Sequence, residues 1–308
     1  MKPSRQLARD RHHRNYSLTP HRIRTIRRDL LPIVQKALGD RYRLQREIGR
    51  GGAARVFLAE DPGGKRVALK VLHPELQVSV TAERFLREIK IVSKIDHPLV
   101  APVLDSGEAE WLVFYVMPYI DGPTLRTHLD TIRRLSIDDT VRLAGDLLGA
   151  LGAAHRMGII HRDVKPENVV LSPQGAVLLD FGIARAIEAA GTTQLTRSGI
   201  TVGTSNYMSP EQVQAATDID HRTDLYSLGC LLFECLAGYP PFRHPNEVVV
   251  LQMHLNEPPP DVRALRPETP EPLANVIHRA MAKDRGLRWQ TAAEIARALS
   301  AAPEPLSR

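Results

Sequence analysis

The sequence predicts an α+β protein whose first part is mainly strands and whose second part is mainly helices. Two patterns carry this prediction: apolar residues alternate with period two over residues 42–72 and recur at helical spacing after Asp121. The 308 residues are 43% apolar and 25% charged, which is typical of a globular protein and excludes wholesale disorder. No run of about 18 apolar residues occurs, so we expect no membrane-spanning helix.

Strands are predicted where apolar residues alternate in the first 120 residues. They are expected at residues 42–48, 56–58, 67–71, 101–105 and 112–119. The Asp-Pro-Gly-Gly run at residues 61–64 predicts the turn between the second and third strands. Between the third and fourth, Phe85, Ile89 and Val92 recur at helical spacing, and Glu88 lies on the same apolar side.

Helices are predicted for the remainder from capping residues and apolar stripes. Ser136 with Asp139 resembles a capping box for a helix that runs to Met157. Residues 225–237 are apolar on nearly every side, which is typical of a helix buried in a large core, and Gly238 is expected to end it. The remaining helices are expected at residues 273–281 and from a cap formed by Thr291 and Glu294.

Positive charge is concentrated at the N-terminus. Residues 1–40 carry ten Lys and Arg against three acids, so the other 268 residues sum to −1 although the whole chain is +6. We therefore expect a basic extension over residues 1–39, and no binding of nucleic acid through bulk charge on the folded part.

Within this extension, apolar residues from Ile23 to Ala37 recur at helical spacing, with Pro32 interrupting them. The pattern leaves three alternatives: a short helix packed on the main domain, a mobile tail, or a contact with nucleic acid or acidic lipid.

The cysteines and the N-terminus indicate the compartment. Cys230 and Cys235 lie five apart in a predicted helix, a spacing that does not favour a disulfide. The N-terminus is polar and rich in Arg, unlike a secretory signal. We therefore expect two reduced thiols in a cytoplasmic protein.

A glycine-rich turn and a lysine indicate a phosphate site. Residues 49–54, Gly-Arg-Gly-Gly-Ala-Ala, precede a strand rather than a helix, which excludes a dinucleotide fold; alone, the turn also fits a plain hairpin. Lys70 lies in the third strand, and Glu88 lies on the apolar side of the next helix. An acid there is costly unless it is paired, so we predict a Lys70–Glu88 ion pair.

The segment His161 to Asn168, His-Arg-Asp-Val-Lys-Pro-Glu-Asn, presents an acid, a base and an amide in one polar loop between two predicted short strands. A second acid, Asp180, follows the predicted strand at residues 177–179. The Asn168 amide and the Asp180 carboxylate are ligands suited to Mg²⁺. Asp163 then remains to accept a proton.

These motifs resemble the Hanks-type protein kinases, in particular the bacterial serine/threonine branch. The resemblance runs from about residue 40 to 302, and the handful of motifs includes Val-Ala-Leu-Lys at residues 67–70, Asp-Phe-Gly at 180–182 and Ser-Pro-Glu at 209–211. It implies that Arg288 pairs with Glu211.

The resemblance also implies a two-lobed protein kinase fold. The expected divisions are a β-rich N-lobe at residues 40–117, a hinge at 118–120, a mainly helical C-lobe at 121–302 and a short tail at 303–308. Many bacterial members carry a membrane helix and an extracellular sensor after the kinase domain; because this chain ends at Arg308, we expect its input to come otherwise.

Catalytic roles follow from the same resemblance. Asp163 would orient a substrate hydroxyl and accept its proton, and Lys165, which serine/threonine kinases carry at this position, would offset charge on the moving phosphoryl group. Lys70, positioned by Glu88, would hold the α and β phosphates of ATP. Asn168 and Asp180 would bind Mg²⁺, with Mn²⁺ as an alternative.

The resemblance assigns the nucleotide site to the cleft between the lobes. Its expected residues are Ile48, Gly49, Gly51, Gly52, Val56, Ala68, Lys70, Met117, Pro118, Ile120 and Val170. Three departures from the family pattern occur: Ala54 replaces the third glycine, Ser209 replaces an alanine, and Pro118 stands where an acid is frequent. Pro118 lacks an N–H but keeps its carbonyl, so it and the Ile120 N–H remain the expected adenine contacts.

Regulation is also implied by the resemblance. Arg162 beside Asp163 implies control by phosphorylation of the segment between residues 182 and 203, where Thr196 and Ser198 occupy the places of activating phosphothreonines in bacterial relatives. We expect protein substrates, autophosphorylation, and a homodimer that would allow phosphorylation in trans.

Two alternatives remain for the function. A pseudokinase scaffold typically lacks one of Lys70, Asp163 or Asp180, and all three are present. A kinase of small molecules such as aminoglycosides or choline would differ in the loop 161–168 and in the long segment 180–211, where protein kinases dock a peptide.

Overall fold

A five-stranded antiparallel sheet forms the N-terminal part of the protein in the computed structural model, which describes residues 30–51, 54–72, 82–110, 112–183 and 204–300. Its strands are β1 (Arg43–Arg50), β2 (Ala54–Glu60), β3 (Arg66–Leu72), β4 (Asp105–Ala109) and β5 (Leu112–Pro118), in the spatial order β1-β2-β3-β5-β4. With the helical region that follows, this sheet confirms the predicted α+β class.

The two faces of the sheet pack against different partners. Because side chains alternate across a strand, Lys70 and Tyr115 project to the inner face while Leu69 and Val116 project to the outer one. Helix α2 (Ala82–Val92) packs on the inner face through Phe85 and Ile89 of the predicted apolar stripe. Val92, the third member of the stripe, is buried in the core cluster of the C-terminal part.

Helix α1 (Leu31–Leu38) packs on the outer face. Its buried residues Val34 and Leu38 share one apolar cluster with residues of β1, β2, β3 and β5. Pro32 does not interrupt the helix as expected; it lies in the first turn, where its missing N–H has no helical partner to lose. This part of the extension is therefore a short helix packed on the main domain, whereas residues 23–29 lie outside the described residues.

The fourth strand begins later than predicted. The expected strand at 101–105 is wrong, since β4 starts at Asp105. Val100 instead bridges Leu178, and the Ala101 N–H donates to the Leu178 carbonyl at 3.0 Å. These apolar residues are thus held by the C-terminal part of the molecule, and β4 itself is a polar strand at the edge of the sheet.

Helices dominate the C-terminal part of the described chain. They are α3 (Leu125–Ile132), α4 (Ile137–Arg156), α5 (Pro210–Val213), α6 (Arg222–Ala237), α7 (Glu247–Asn256), α8 (Glu271–Ala280) and α9 (Ala292–Ser300). As predicted, the Ser136 Oγ accepts the Asp139 N–H at the start of α4, and the Glu294 N–H donates to the Thr291 Oγ1 at the start of α9. A two-stranded hairpin, β6 (Val169–Ser172) and β7 (Gly175–Leu178), lies between α4 and α5.

Helix α6 forms the centre of the C-terminal core. Its residues from Thr223 to Ala237 are all buried, and it contacts both α4 and α8. Gly238 ends it at φ 86°, a left-handed conformation that glycine adopts without strain. Cys230 and Cys235 lie on it as buried free thiols, and burial raises the pKa of both well above its ordinary value.

Among the helices in the described ranges, none is both long and apolar enough to cross a membrane.

Candidate active site

Helix α6 holds the polar loop from His161 to Asn168 in place through hydrogen bonds. Asp224, in the first turn of α6, accepts the backbone N–H groups of His161 and Arg162, each at 2.8 Å, and His155 Nε2 lies 2.8 Å from the same carboxylate. Burial alone would raise the pKa of Asp224, but these hydrogen bonds and the nearby histidines lower it below its ordinary value. A carboxylate that stays ionised in the core therefore fixes the backbone of the loop.

The strand expected before this loop is absent: residues 159–160 have no strand conformation in the structure, and the hairpin β6–β7 follows the loop instead. The side chain of His161 takes over part of the positioning. It is fully buried, places Nε2 2.7 Å from the Leu179 carbonyl, and contacts the Phe181 ring edge-on at 4.6 Å. The loop is thereby tied to the segment that carries Asp180.

Asp163 lies at the centre of the loop with two partners for one oxygen. Its Oδ2 lies 2.8 Å from Lys165 Nζ and accepts the Asn168 Nδ2 at 2.9 Å. Asn168 also donates to the Asp163 backbone carbonyl at 2.8 Å. The acid is partly exposed, so a substrate hydroxyl can approach it, while the lysine and the amide hold its orientation.

Lys70 does not pair with Glu88, and this prediction is wrong for the structure. Its ammonium instead forms an ion pair with Asp180 Oδ2, and both side chains are largely buried. Tyr115, directly opposite Lys70 in the sheet, donates its hydroxyl to the other oxygen, Oδ1, at 3.1 Å. The ion-pair partner of the lysine therefore comes from the C-terminal part of the molecule, where Asp180 follows β7.

The residues present fit a hard divalent cation. The Asn168 amide nitrogen is committed to Asp163, which turns its oxygen in the opposite direction. The Leu179 N–H donates to the Asn168 carbonyl at 2.8 Å, so Asp180 follows a residue bonded to Asn168. The segments that carry Asn168 and Asp180 are thus hydrogen-bonded to each other, and the amide oxygen and carboxylate that they carry are ligands that suit Mg²⁺.

The predicted nucleotide residues come together as one apolar surface. Ala68 and Met117 belong to the cluster on the inner face, and Ile48, Val56 and Ile120 pack against it. Val170 is buried on β6, opposite Val177 of the same cluster. Gly49 lies near the end of β1 against Val56, Gly51 follows the strand, and Pro118 is the last residue of β5.

Three predicted site residues cannot be placed. Gly52, Thr196 and Ser198 lie outside the described residues. Arg162 lies within the described residues. It adopts φ 67°, a left-handed conformation that costs free energy for residues other than glycine, and its carbonyl accepts a hydrogen bond from the Gln212 Nε2 at 2.8 Å. The backbone beside Asp163 is therefore tied to helix α5.

The expected Glu211–Arg288 pair is confirmed. The two guanidinium NH groups of Arg288 each donate to one Glu211 oxygen at 2.7 Å, and both residues are buried. This pair joins α5 to the segment between α8 and α9, behind the loop 161–168.

Residues 42–298 match the protein kinase domain family. The chain belongs to the protein kinase domain family. Its site therefore joins the two lobes of a kinase domain: Lys70 comes from the N-lobe sheet, while Asp163, Asn168 and Asp180 come from the C-lobe.

Several curated bacterial proteins are similar to this kinase domain. It is 41% identical over 268 residues to a probable serine/threonine-protein kinase PknB of Bifidobacterium longum, covering 83% of this chain and 39% of the relative. It is 42% identical over 266 residues to the serine/threonine-protein kinase PknB of Mycolicibacterium smegmatis, covering 84% and 42%. The chain thus spans about two fifths of the length of these relatives.

Asp224 matches the family pattern as the acid that opens the buried helix, whereas one residue beside this kinase site was missed by sequence reasoning. Tyr115 gave no signal, because its strand is apolar throughout and only the register places its hydroxyl beside Asp180.

Proposed function

We propose that this chain transfers the γ-phosphoryl group of ATP to serine and threonine hydroxyls of proteins. The observation that carries the proposal is the convergence of Lys165 and Asn168 on one oxygen of Asp163, next to the Lys70–Asp180 ion pair. The names of the similar bacterial proteins support the acceptor class.

Asp163 acts on the acceptor. Its carboxylate orients the hydroxyl and takes its proton as the hydroxyl oxygen forms a bond to the γ phosphorus, while the bond to the bridging oxygen breaks and ADP leaves with that electron pair. Lys165 lies beside this carboxylate and neutralises charge on the transferred group. Asn168 keeps the Asp163 carboxylate in one orientation during the step.

The nucleotide lies between the lobes. The apolar surface of Ala68 and Met117 receives the adenine, with the Pro118 carbonyl and the Ile120 N–H as its polar contacts. Lys70 turns from Asp180 to the α and β phosphates. Asn168 and Asp180 would hold Mg²⁺, or Mn²⁺ in its place, and the bound metal would neutralise phosphate charge.

The acceptor class is tested by comparing two kinds of acceptor in separate reactions. The full chain is incubated with ATP, Mg²⁺ and either a generic protein acceptor such as casein or free amino alcohols such as choline. We expect phosphate on serine and threonine of the protein and none on the amino alcohols. Transfer to the amino alcohols alone would show a small-molecule kinase, and ATP binding with no transfer to any acceptor would favour a scaffold.

We further propose activation by autophosphorylation at Thr196 and Ser198. Arg162, whose backbone is fixed by Asp224, is the residue that would pair with such a phosphate through charge-assisted hydrogen bonds. Two copies in a transient dimer would phosphorylate each other. We expect mass spectrometry to find phosphate at these positions in the active chain, and to find none in the Asp163→Asn variant. Fully active enzyme with neither position modified would contradict this regulation.

A further inference from the structure

The inner face of the N-lobe sheet carries a tyrosine that the kinase mechanism above does not use. Tyr115 is 2% exposed, and its ring packs against Phe85 of α2 with the ring centres 6.2 Å apart. It lies directly opposite Lys70 in the β3–β5 register. The two polar side chains therefore project side by side from the inner face.

Both side chains bind the same carboxylate. The Tyr115 hydroxyl donates to Asp180 Oδ1 at 3.1 Å while the Lys70 ammonium pairs with Oδ2. A carboxylate from the C-lobe is thus held at both oxygens by adjacent strands of the N-lobe.

The tyrosine contact is the one that can persist during the reaction. Lys70 is needed at the phosphates of the nucleotide, whereas the hydroxyl of a rigid, buried ring has no comparable second task. Asp180 adopts φ 62°, a left-handed conformation that costs free energy, and its side chain is 15% exposed. A carboxylate on such a turn gains a fixed orientation from a buried donor.

We propose that Tyr115 is a positioning residue for Asp180. Its hydroxyl would donate a hydrogen bond to this carboxylate and so orient it toward the catalytic metal. The inference rests on the proposed function. Carboxylates that bind metals are themselves hydrogen-bonded in general, and removal of such a partner typically weakens metal affinity or activity by about 10–100-fold. A tyrosine whose hydroxyl only completes the hydrogen bonding of the core would affect the stability of the fold but not the dependence of ADP affinity on Mg²⁺.

The test measures ADP affinity by calorimetry at increasing Mg²⁺ concentrations for the full chain, Tyr115→Phe and Tyr42→Phe. Tyr115→Phe keeps the ring against Phe85 and removes only the hydroxyl. Tyr42→Phe is the matched control, because Tyr42 also donates to a carboxylate, Asp105, at 2.7 Å, but on the other side of the sheet.

We expect Tyr115→Phe to need about 10-fold more Mg²⁺ than wild type for half of the gain in ADP affinity. Tyr42→Phe should titrate like wild type. The kcat of Tyr115→Phe should be low at limiting Mg²⁺ and recover as Mg²⁺ is raised. Tyr115→Met, which also fills the space without a hydroxyl, repeats the test if the Phe variant is poorly soluble.

Titration of Tyr115→Phe within twofold of wild type would overturn the inference and leave the hydroxyl a structural role. Higher kcat in Tyr115→Phe at limiting Mg²⁺ would also overturn it, since the hydroxyl would then restrain the site. Both outcomes leave the proposed function intact. If the ADP affinity of the wild-type chain does not depend on Mg²⁺ concentration, the proposed function would instead be overturned, and this inference with it.

Discussion

Two buried ion pairs, Lys70–Asp180 in the cleft and Arg288–Glu211 in the C-lobe, are built differently. Arg288 is fully buried, meets Glu211 with two parallel hydrogen bonds of 2.7 Å, and spends further donors on the carbonyls of Ala282 and Lys283. Lys70 makes one ion pair to one oxygen of Asp180, and the two side chains are 10% and 15% exposed.

The difference distinguishes an ion pair that stabilises the fold from one that can take part in the reaction. Each guanidinium nitrogen of Arg288 and each carboxylate oxygen of Glu211 has a hydrogen-bond partner. Because the guanidinium is planar and bonded on several sides, the Arg288 side chain has little freedom to move. Lys70 is a point charge on a flexible stem, so it can move from Asp180 to a phosphate without breaking a network. We infer that the first pair stabilises the fold and the second is available to the reaction.

Replacing the two cations by methionine should affect stability to very different degrees, and the change at Arg288 is the largest expected effect on stability. Arg288→Met leaves Glu211 buried and unpaired, which costs about 3–5 kcal/mol. For a domain of this size each kcal/mol lowers the melting temperature by roughly 2–4 °C. Lys70→Met should lower it by less than half as much, because Asp180 can be rehydrated, yet should abolish phosphoryl transfer.

Thermal unfolding followed by circular dichroism, with a transfer assay on the same preparations, checks this prediction. Arg288→Lys is the matched control: it keeps the charge but loses the fork, and it should fall between wild type and Arg288→Met in stability. Equal melting temperatures for Lys70→Met and Arg288→Met would break the distinction between the two pairs.

The outer face of the N-lobe gives a second, smaller effect. Deleting residues 1–38 removes α1 and exposes the apolar surface that covers Val34 and Leu38, so the melting temperature should fall by several degrees while ADP still binds on the opposite face. Leu38→Ala should reproduce part of this loss, at about 2–4 kcal/mol. Lys36→Ala, on the exposed side of the same helix, should stay within about 0.5 kcal/mol of wild type. A truncated chain that cannot fold would place the domain boundary before α1.

The C-lobe core should also respond to pH through His254, which is fully buried beside Tyr226 and Phe242. Burial, with the charge of Lys283 nearby, lowers the pKa of His254 to about 3. Because the unfolded chain binds a proton near pH 6.5 and the folded chain does not, stability is lost as pH falls below about 6.5.

The expected loss from this histidine is roughly 2 kcal/mol between pH 6.5 and 5, the smallest effect in this series. Urea unfolding at several pH values measures it, and the slope should flatten in His254→Gln. A wild-type slope retained in that variant would assign the pH dependence to other groups.

The sequence predicted most elements because their patterns were local. The capping residues Ser136 and Thr291 and the stop at Gly238 lie where expected. The Glu211–Arg288 pair, 77 residues apart, followed from the family resemblance. By contrast, the predicted partner of Lys70 was wrong, because the acid that pairs with it comes from the other lobe and depends on how the two lobes meet.

The error in the position of the fourth strand arose because β4 is polar and the segment before it is apolar. β4 has no apolar alternation, since it lies at the edge of the sheet, whereas the apolar Val100 and Ala101 are held by Leu178 outside the sheet. Tyr115 could not be singled out, because its role depends on the register that sets it opposite Lys70. Such long-range pairings are not encoded in a local pattern.

The most direct test of the central claim, that Asp163 is the base of a phosphoryl transfer, is a single-turnover measurement on wild type and Asp163→Asn. The full chain is mixed with ATP, Mg²⁺ and a protein acceptor, and ADP affinity is measured on the same samples. We expect Asp163→Asn to slow transfer by about 10²–10⁴-fold while ADP affinity stays near wild type. Transfer by Asp163→Asn within threefold of wild type, with contaminating kinase excluded, would contradict the account.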